Sequence, residues 1–150
     1  MSRSVGVVVV VCLALLAPSS AAAYSTGPYK GKQSQNGGTP LAFSVVAKTT
    51  HKGKKKVVKH YVRLKGHFTR IDANCPDGFV YHVNLVIAKA TDIPIKGNKF
   101  ALSEQVKFSG SFAGDGSKSH ASGQVSFAYP NVTAHGGDCT SGKVSWSAHR

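Results

Sequence analysis

Apolar and polar residues alternate with a period of two through most of the chain beyond residue 24, the spacing of strands with one face buried. Leu41, Phe43, Val45 and Ala47 fall on one side and Ala42, Ser44 and Val46 on the other, which predicts a half-buried strand. His51-Lys52-Gly53-Lys54 reads as a hairpin tip, with Gly53 supplying a positive φ. Val57 to Lys65 then return with Val58, His60, Val62 and Leu64 on one face. Lys55, Val57, Lys59, Tyr61, Arg63 and Lys65 lie on the other. Gly66 marks a break or bulge, and His67 to Ala73 run on to the turn Asn74-Cys75-Pro76-Asp77-Gly78.

Phe79, Tyr81, Val83, Leu85 and Ile87 alternate over the longest apolar strand, which this pattern places at the centre of a sheet. A short hairpin turns at Gly97-Asn98. Phe108 to Ala113 and Ser122 to Tyr129 form a further pair joined through Asp115-Gly116-Ser117, with Phe108 and Phe112 against Val125 and Phe127. Glycines 110, 114 and 123 point to bulges or close contacts within the sheet. Pro130 stops that strand and His135-Gly136-Gly137 turns the chain. The last strand, Asp138 to Ala148, carries Val144, Trp146 and Ala148 on one face and Lys143, Ser145, Ser147 and His149 on the other. Gly27-Pro28-Tyr29-Lys30-Gly31-Lys32, near the start, reads as an edge strand followed by a turn at Asn36-Gly37-Gly38. No segment after residue 24 shows helical periodicity, so the expected class is all-β: one antiparallel β-sandwich or barrel-like sandwich domain.

The N-terminus departs from this pattern. Arg3 precedes an apolar run from Val5 to Ala17, then Pro18 and the small residues Ser19 to Ala23. Thirteen apolar-run residues fall short of the ~20 of a spanning helix, so residues 1–23 are expected to be a secretory signal, with no stable membrane span and a domain from 24 to 150. Export makes a disulfide between the two remaining cysteines, Cys75 and Cys139, the expected state, closing a loop across 64 positions. Without Arg3, 18 Lys and Arg stand against six acids, a formal net charge of +12. That balance favours acidic partners such as nucleic acid, anionic lipid or an anionic cell-wall or matrix polymer, and it also serves solubility.

The charge is concentrated. Between Lys48 and Arg70 there are nine Lys or Arg residues and no acid. Alternate residues on a strand are ~6.6–6.8 Å apart, so Lys59, Arg63 and Lys65 can follow an anionic backbone for ~20 Å, helped by Lys54, Lys55 and Lys56. Tyr61 is placed to stack on a sugar ring or base. The competing reading is a solvated hairpin whose charges prevent edge pairing. Catalytic chemistry finds no support: there is no nucleophile elbow, no P-loop and no paired carboxylate selected by spacing. Most acids fall at turns, where Asp serves the backbone. The seven histidines form no metal-ligand spacing, so neither a metal nor another cofactor is expected. Asn131-Val132-Thr133 is a glycosylation sequon, relevant in a eukaryotic source.

Gly27-x-Tyr29-x-Gly31-x-Gln33, Cys75-x-x-Gly78, Gly97-x-x-Phe100, Gly123 and Cys139-x-x-Gly142-x-x-x-Trp146-x-Ala148-x-Arg150 together resemble a group of small secreted β proteins from actinobacteria. The resemblance implies a compact exported sandwich with a Cys75–Cys139 bridge and assigns no functional residue. The Lys-rich hairpin from His51 to Lys56 is an elaboration on that pattern. The expected function is therefore a secreted, non-catalytic module binding an anionic polymer, whether polysaccharide, teichoic-acid-like or nucleic acid. A structural or protein-interaction domain is the alternative, and a hydrolase is the third possibility.

Overall fold

The structure, a computed structural model, describes residues 22–115 and 118–150. The expected signal segment up to residue 21 and positions 116 and 117 of the Asp115 turn lie outside the described residues. The strands are β1 Gly27–Gln33, β2 Pro40–Lys52, β3 Lys55–Asn74, β4 Val80–Pro94 and β5 Lys99–Ser103. They continue as β6 Val106–Ala113, β7 His120–Val132, β8 Gly137–Thr140 and β9 Val144–His149. All pairings are antiparallel, in the order β4-β3-β2-β1-β9-β7-β6-β5. β8 joins β7 to β3 through Asn74 opposite Thr140, which closes β3, β2, β1, β9, β7 and β8 into a circuit. The result is an all-β, barrel-like sandwich with one disulfide, Cys75–Cys139, tying the end of β3 to β8. Among the described residues there is no α-helix, and none is long and apolar enough to cross a membrane.

The interior is aromatic. Tyr29 stacks on Phe43 with centroids 5.2 Å apart, and Phe43, Phe100, Phe108 and Trp146 pack around them. One glycine makes room for the indole and a second for the backbone of β6. Gly110 pairs with Gly123, which in turn pairs with Trp146, and a Cβ on Gly110 would lie 2.5 Å from Trp146 Cζ2. The close contacts expected of glycines 110 and 123 are therefore present. Phe108 faces Val125 as expected, whereas Phe112 faces Ala121 and Phe127 faces Val106.

Four expectations are corrected. β1 is not an edge strand: it pairs with β2 on one side and β9 on the other, and Tyr29 and Gln33 are buried. Gly31 marks a close approach, since a Cβ there would sit 1.8 Å from the Ser147 carbonyl oxygen. Pro28 precedes the first residue paired to β9, so its missing N–H costs that ladder nothing. Second, β4 is not central but the open edge, paired only with β3. Apolar alternation reports which face packs, not whether both backbone edges are hydrogen-bonded. Third, the chain from Asp138 to Ala148 is two strands, broken at Gly142 with φ 62°, although Val144, Trp146 and Ala148 are buried as expected. Fourth, Pro130 bulges β7 rather than ending it: Asn131 takes φ 58° and pairing resumes at Val132 opposite Gly137.

Candidate functional site

The site is built on the β2–β3 hairpin. Its two-residue turn is Gly53-Lys54, with Gly53 at φ 62° and Lys52 facing Lys55. Inside the domain Val45, Val62 and Leu64 are buried, but from Ala47 outward both strands leave the core, and Val58 is exposed. Of Val58, His60, Val62 and Leu64, which share one face, only Val62 and Leu64 are buried. Beyond that point the hairpin is an arm, Lys48–Lys52 against Lys55–Lys59, reaching roughly 17 Å at 3.4 Å per residue.

Register decides which charges meet. Lys52 faces Lys55, Lys48 faces Lys59, and His51 faces Lys56 across the ladder. Directly opposed like charges destabilise a strand pair, and here two lysine pairs, Lys52–Lys55 and Lys48–Lys59, lie along a single hairpin. Among the described residues no ion-pair partner is present for Lys52, Lys54, Lys55, Lys56, Lys59 or Lys65. Pleat alternation puts Lys52, Lys55, Lys48, Lys59 and Tyr61 on one face, while Lys56 and His51 occupy the reverse and Lys54 sits in the turn. The seven residues expected to act together thus divide between two faces and a tip.

Arg63 is placed differently from its neighbours. Its Nε and Nη2 donate to Asp92 Oδ1 and Oδ2 at 2.7 and 2.9 Å, the bidentate geometry of strong Arg–carboxylate pairs. Lys48 Nζ joins the same carboxylate at 2.5 Å and also lies 5.2 Å from the Tyr61 ring centroid. The Arg63 hydrogen bond, assisted by Lys48, holds the Asp92 carboxyl well below the usual range despite partial burial. Asp92 lies within β4, opposite Arg63. It anchors the root of the arm and neutralises one of its cations. Tyr61 is half-buried there, with Lys48 over its ring. Lys65 lies further in, beside a shallow depression of about 470 Å³ lined also by Lys30, Arg63 and His67.

Two further pairs of titratable groups stand apart from the arm. His82 Nδ1 lies 2.7 Å from Asp72, which also accepts from Asn36 Nδ2 at 2.6 Å. Burial opposes ionisation of Asp72, but the hydrogen bonds from His82 and Asn36 outweigh it and lower its pKa. His135 Nδ1 lies 2.7 Å from Asp77, whose pKa is lowered by that bond and by the Phe79 N–H. Among the described residues no three His, Cys, Asp or Glu side chains converge as metal ligands would. The residues that sequence reasoning left out of the site are Lys48, Lys52 and Lys30. The first two lie within the acid-free basic run, but only cross-strand register shows that they double the basic face; nothing local marks Lys30, which β1 brings alongside. Comparison with protein-family models, with curated proteins and with solved structures finds no match to this chain.

Proposed function

We propose that this chain is an exported, non-catalytic module that binds an anionic polymer along the exposed face of the β2–β3 arm. The observation that carries the reading is the group of lysines on one face of the arm that have no ion-pair partner among the described residues: Lys52 against Lys55, with Lys59 further along beside the Asp92-bound Lys48, and no acid on the arm itself. Opposed cations cost an isolated hairpin pairing stability. A polymer with a phosphate, sulfate or carboxylate at every repeat would neutralise them in series and release its counterions. Lys52, Lys55 and Lys59 make the contact in this reading, with Lys54 at the tip and Lys65 and Lys30 prolonging the track toward the body. Tyr61 contributes the apolar side of a ring contact, and Arg63 with Asp92 holds the arm's root.

The test is retention on heparin and on duplex DNA under a salt gradient, comparing the wild type with a Lys52→Glu/Lys55→Glu/Lys59→Glu variant. The reading expects wild-type elution well above the ~0.15 M of physiological salt and a large loss of retention in the variant, with thermal stability preserved. Elution of both proteins at or below that salt would return the charge to a solubilising role. Comparing the two columns identifies the polymer class, since a sulfated glycan and a duplex differ in shape but share the anionic repeat.

A further inference from the structure

β4 leaves one backbone edge open, and the strand itself carries little of the usual edge protection: the slip between Thr69 opposite Leu85 and His67 opposite Val86 places its extra residue on β3. Natural sheets blunt open edges with lysines, prolines, bulges or charged side chains. From Phe79 to Ala88 there is no charged residue at all, in a chain otherwise dense in lysine. Lys89 falls where the ladder slips, between Gly66 opposite Ile87 and Leu64 opposite Thr91, and Pro94 lies at the far end. Between Val80 and Leu85 the pairing with β3 is regular, Asn74 opposite Val80 through Thr69 opposite Leu85. Three exposed large apolar side chains border this stretch: Phe79 at 47%, Val80 at 36% and Val86 at 60%.

The direction of the free hydrogen-bonding groups follows from the ladder. The Cys75 N–H donates to the Phe79 carbonyl at 2.9 Å, so with a period of two the groups of Tyr81, Val83 and Leu85 point at β3. Those of Val80, His82, Asn84 and Val86 point to the open side. We infer that β4 pairs antiparallel with β4 of a second copy about a two-fold axis through Val83. In that register His82 meets Asn84 of the other copy and Val80 meets Val86, each a hydrogen-bonded pair made by outward-pointing groups. On the opposite face of the strand, Phe79 comes against Ile87, which covers its exposed ring.

Shifting the axis to His82 or Asn84 would set Val86 against Gly78 or His82 and leave the valines unmatched. The Val83 register also directs Lys89 of each copy toward the Asp77 turn of the other. Net charge opposes self-association, and the cation nearest the axis is Arg70, opposite Asn84 on β3, with Asp72 two residues along the same strand. The basic arm begins beyond Tyr61, which faces Pro94, so its root lies roughly 36 Å along the strand from Val83, against a Debye length of ~8 Å. A two-fold axis at Val83 sends the two arms to opposite ends of the assembly. The inference stands independently of what the arms bind.

Sedimentation velocity on the exported, disulfide-bonded protein from ~1 to ~100 μM tests it, a range that brackets micromolar self-association. The expected result is a monomer–dimer equilibrium for the wild type and a monomer throughout for Val80→Lys/Val86→Lys, with unchanged near-ultraviolet dichroism. Val58→Lys, on the arm, stays dimeric. Hydrogen exchange on the wild type alone supplies a second reading, because the His82 and Asn84 amides gain protection as concentration rises. A wild type that stays monomeric, a double-lysine variant that still dimerises, or a dimer whose His82 and Asn84 amides exchange as in the monomer would each overturn the proposal.

Discussion

Asp92 gathers the partners that give the arm its root: two Arg63 hydrogen bonds and the Lys48 ammonium on one carboxylate. Asp92→Asn should therefore move two properties in opposite directions. It removes the ion pair and lowers the melting temperature, while freeing Arg63 and Lys48 and raising retention on heparin. Melting curves and a salt gradient on the same sample read both. The pH dependence has a definite sign. The Asp92 carboxyl is depressed in the folded chain relative to its unfolded value of about 3.9, so its contribution is complete above that value and fades as pH falls below it. Thermal denaturation between pH 7 and pH 2 should show a steeper acid loss for the wild type than for Asp92→Asn. A different residue-scale feature is the packing of β6, β7 and β9. A Cβ on Gly123 would lie 2.0 Å from the Ser109 carbonyl oxygen, a backbone atom with no rotamer by which to retreat. Gly123→Ala should cost about 1–3 kcal/mol or prevent folding, measured by denaturant titration.

At the scale of the element, the faces of strands were legible and their neighbours were not. Leu41, Phe43 and Val45, and later Val144, Trp146 and Ala148, are buried as their alternation requires, because side-chain period is local. The edge position of β4 and the internal position of β1 depend on which chain segments lie alongside, and no local pattern encodes that. Gly31 shows the difficulty: in sequence it belongs to a segment that reads as an edge strand, yet it is there because Ser147 comes too close for any side chain. The candidate site was legible as a basic run and illegible as a surface. Lys55, Lys59 and Tyr61 share a face as read, but the pairing of Arg63 with an acid 29 positions away could not be seen from spacing. The Cys75–Cys139 bridge ties β8 to the end of β3, where Asn74 opposite Thr140 supplies the only paired residues between these strands. Replacing both cysteines with serine should cost about 2–5 kcal/mol in a chemical denaturation series. Hydrogen exchange should then show β8 opening first, since little else holds it to β3.

At the scale of the molecule, the class was readable from Gly-rich turns between short alternating segments and the absence of a helical period. What could not be read was the closure of the circuit through β8, which rests on one bridge and one disulfide. The aromatic interior lies wholly within the body, and the arm that projects from it buries almost nothing of its own. Binding of that arm to a polyanion is the central claim. The most direct measurement is the association constant for a heparin fragment and for duplex DNA as a function of salt, in the wild type and in Lys52→Gln/Lys55→Gln/Lys59→Gln. A polyanion-binding arm gives a steep fall of log K with log salt in the wild type, flattened in the variant by about 0.9 for each DNA phosphate the lysines no longer neutralise. A salt slope that is shallow in the wild type, or unchanged by neutralising the three lysines, would contradict it.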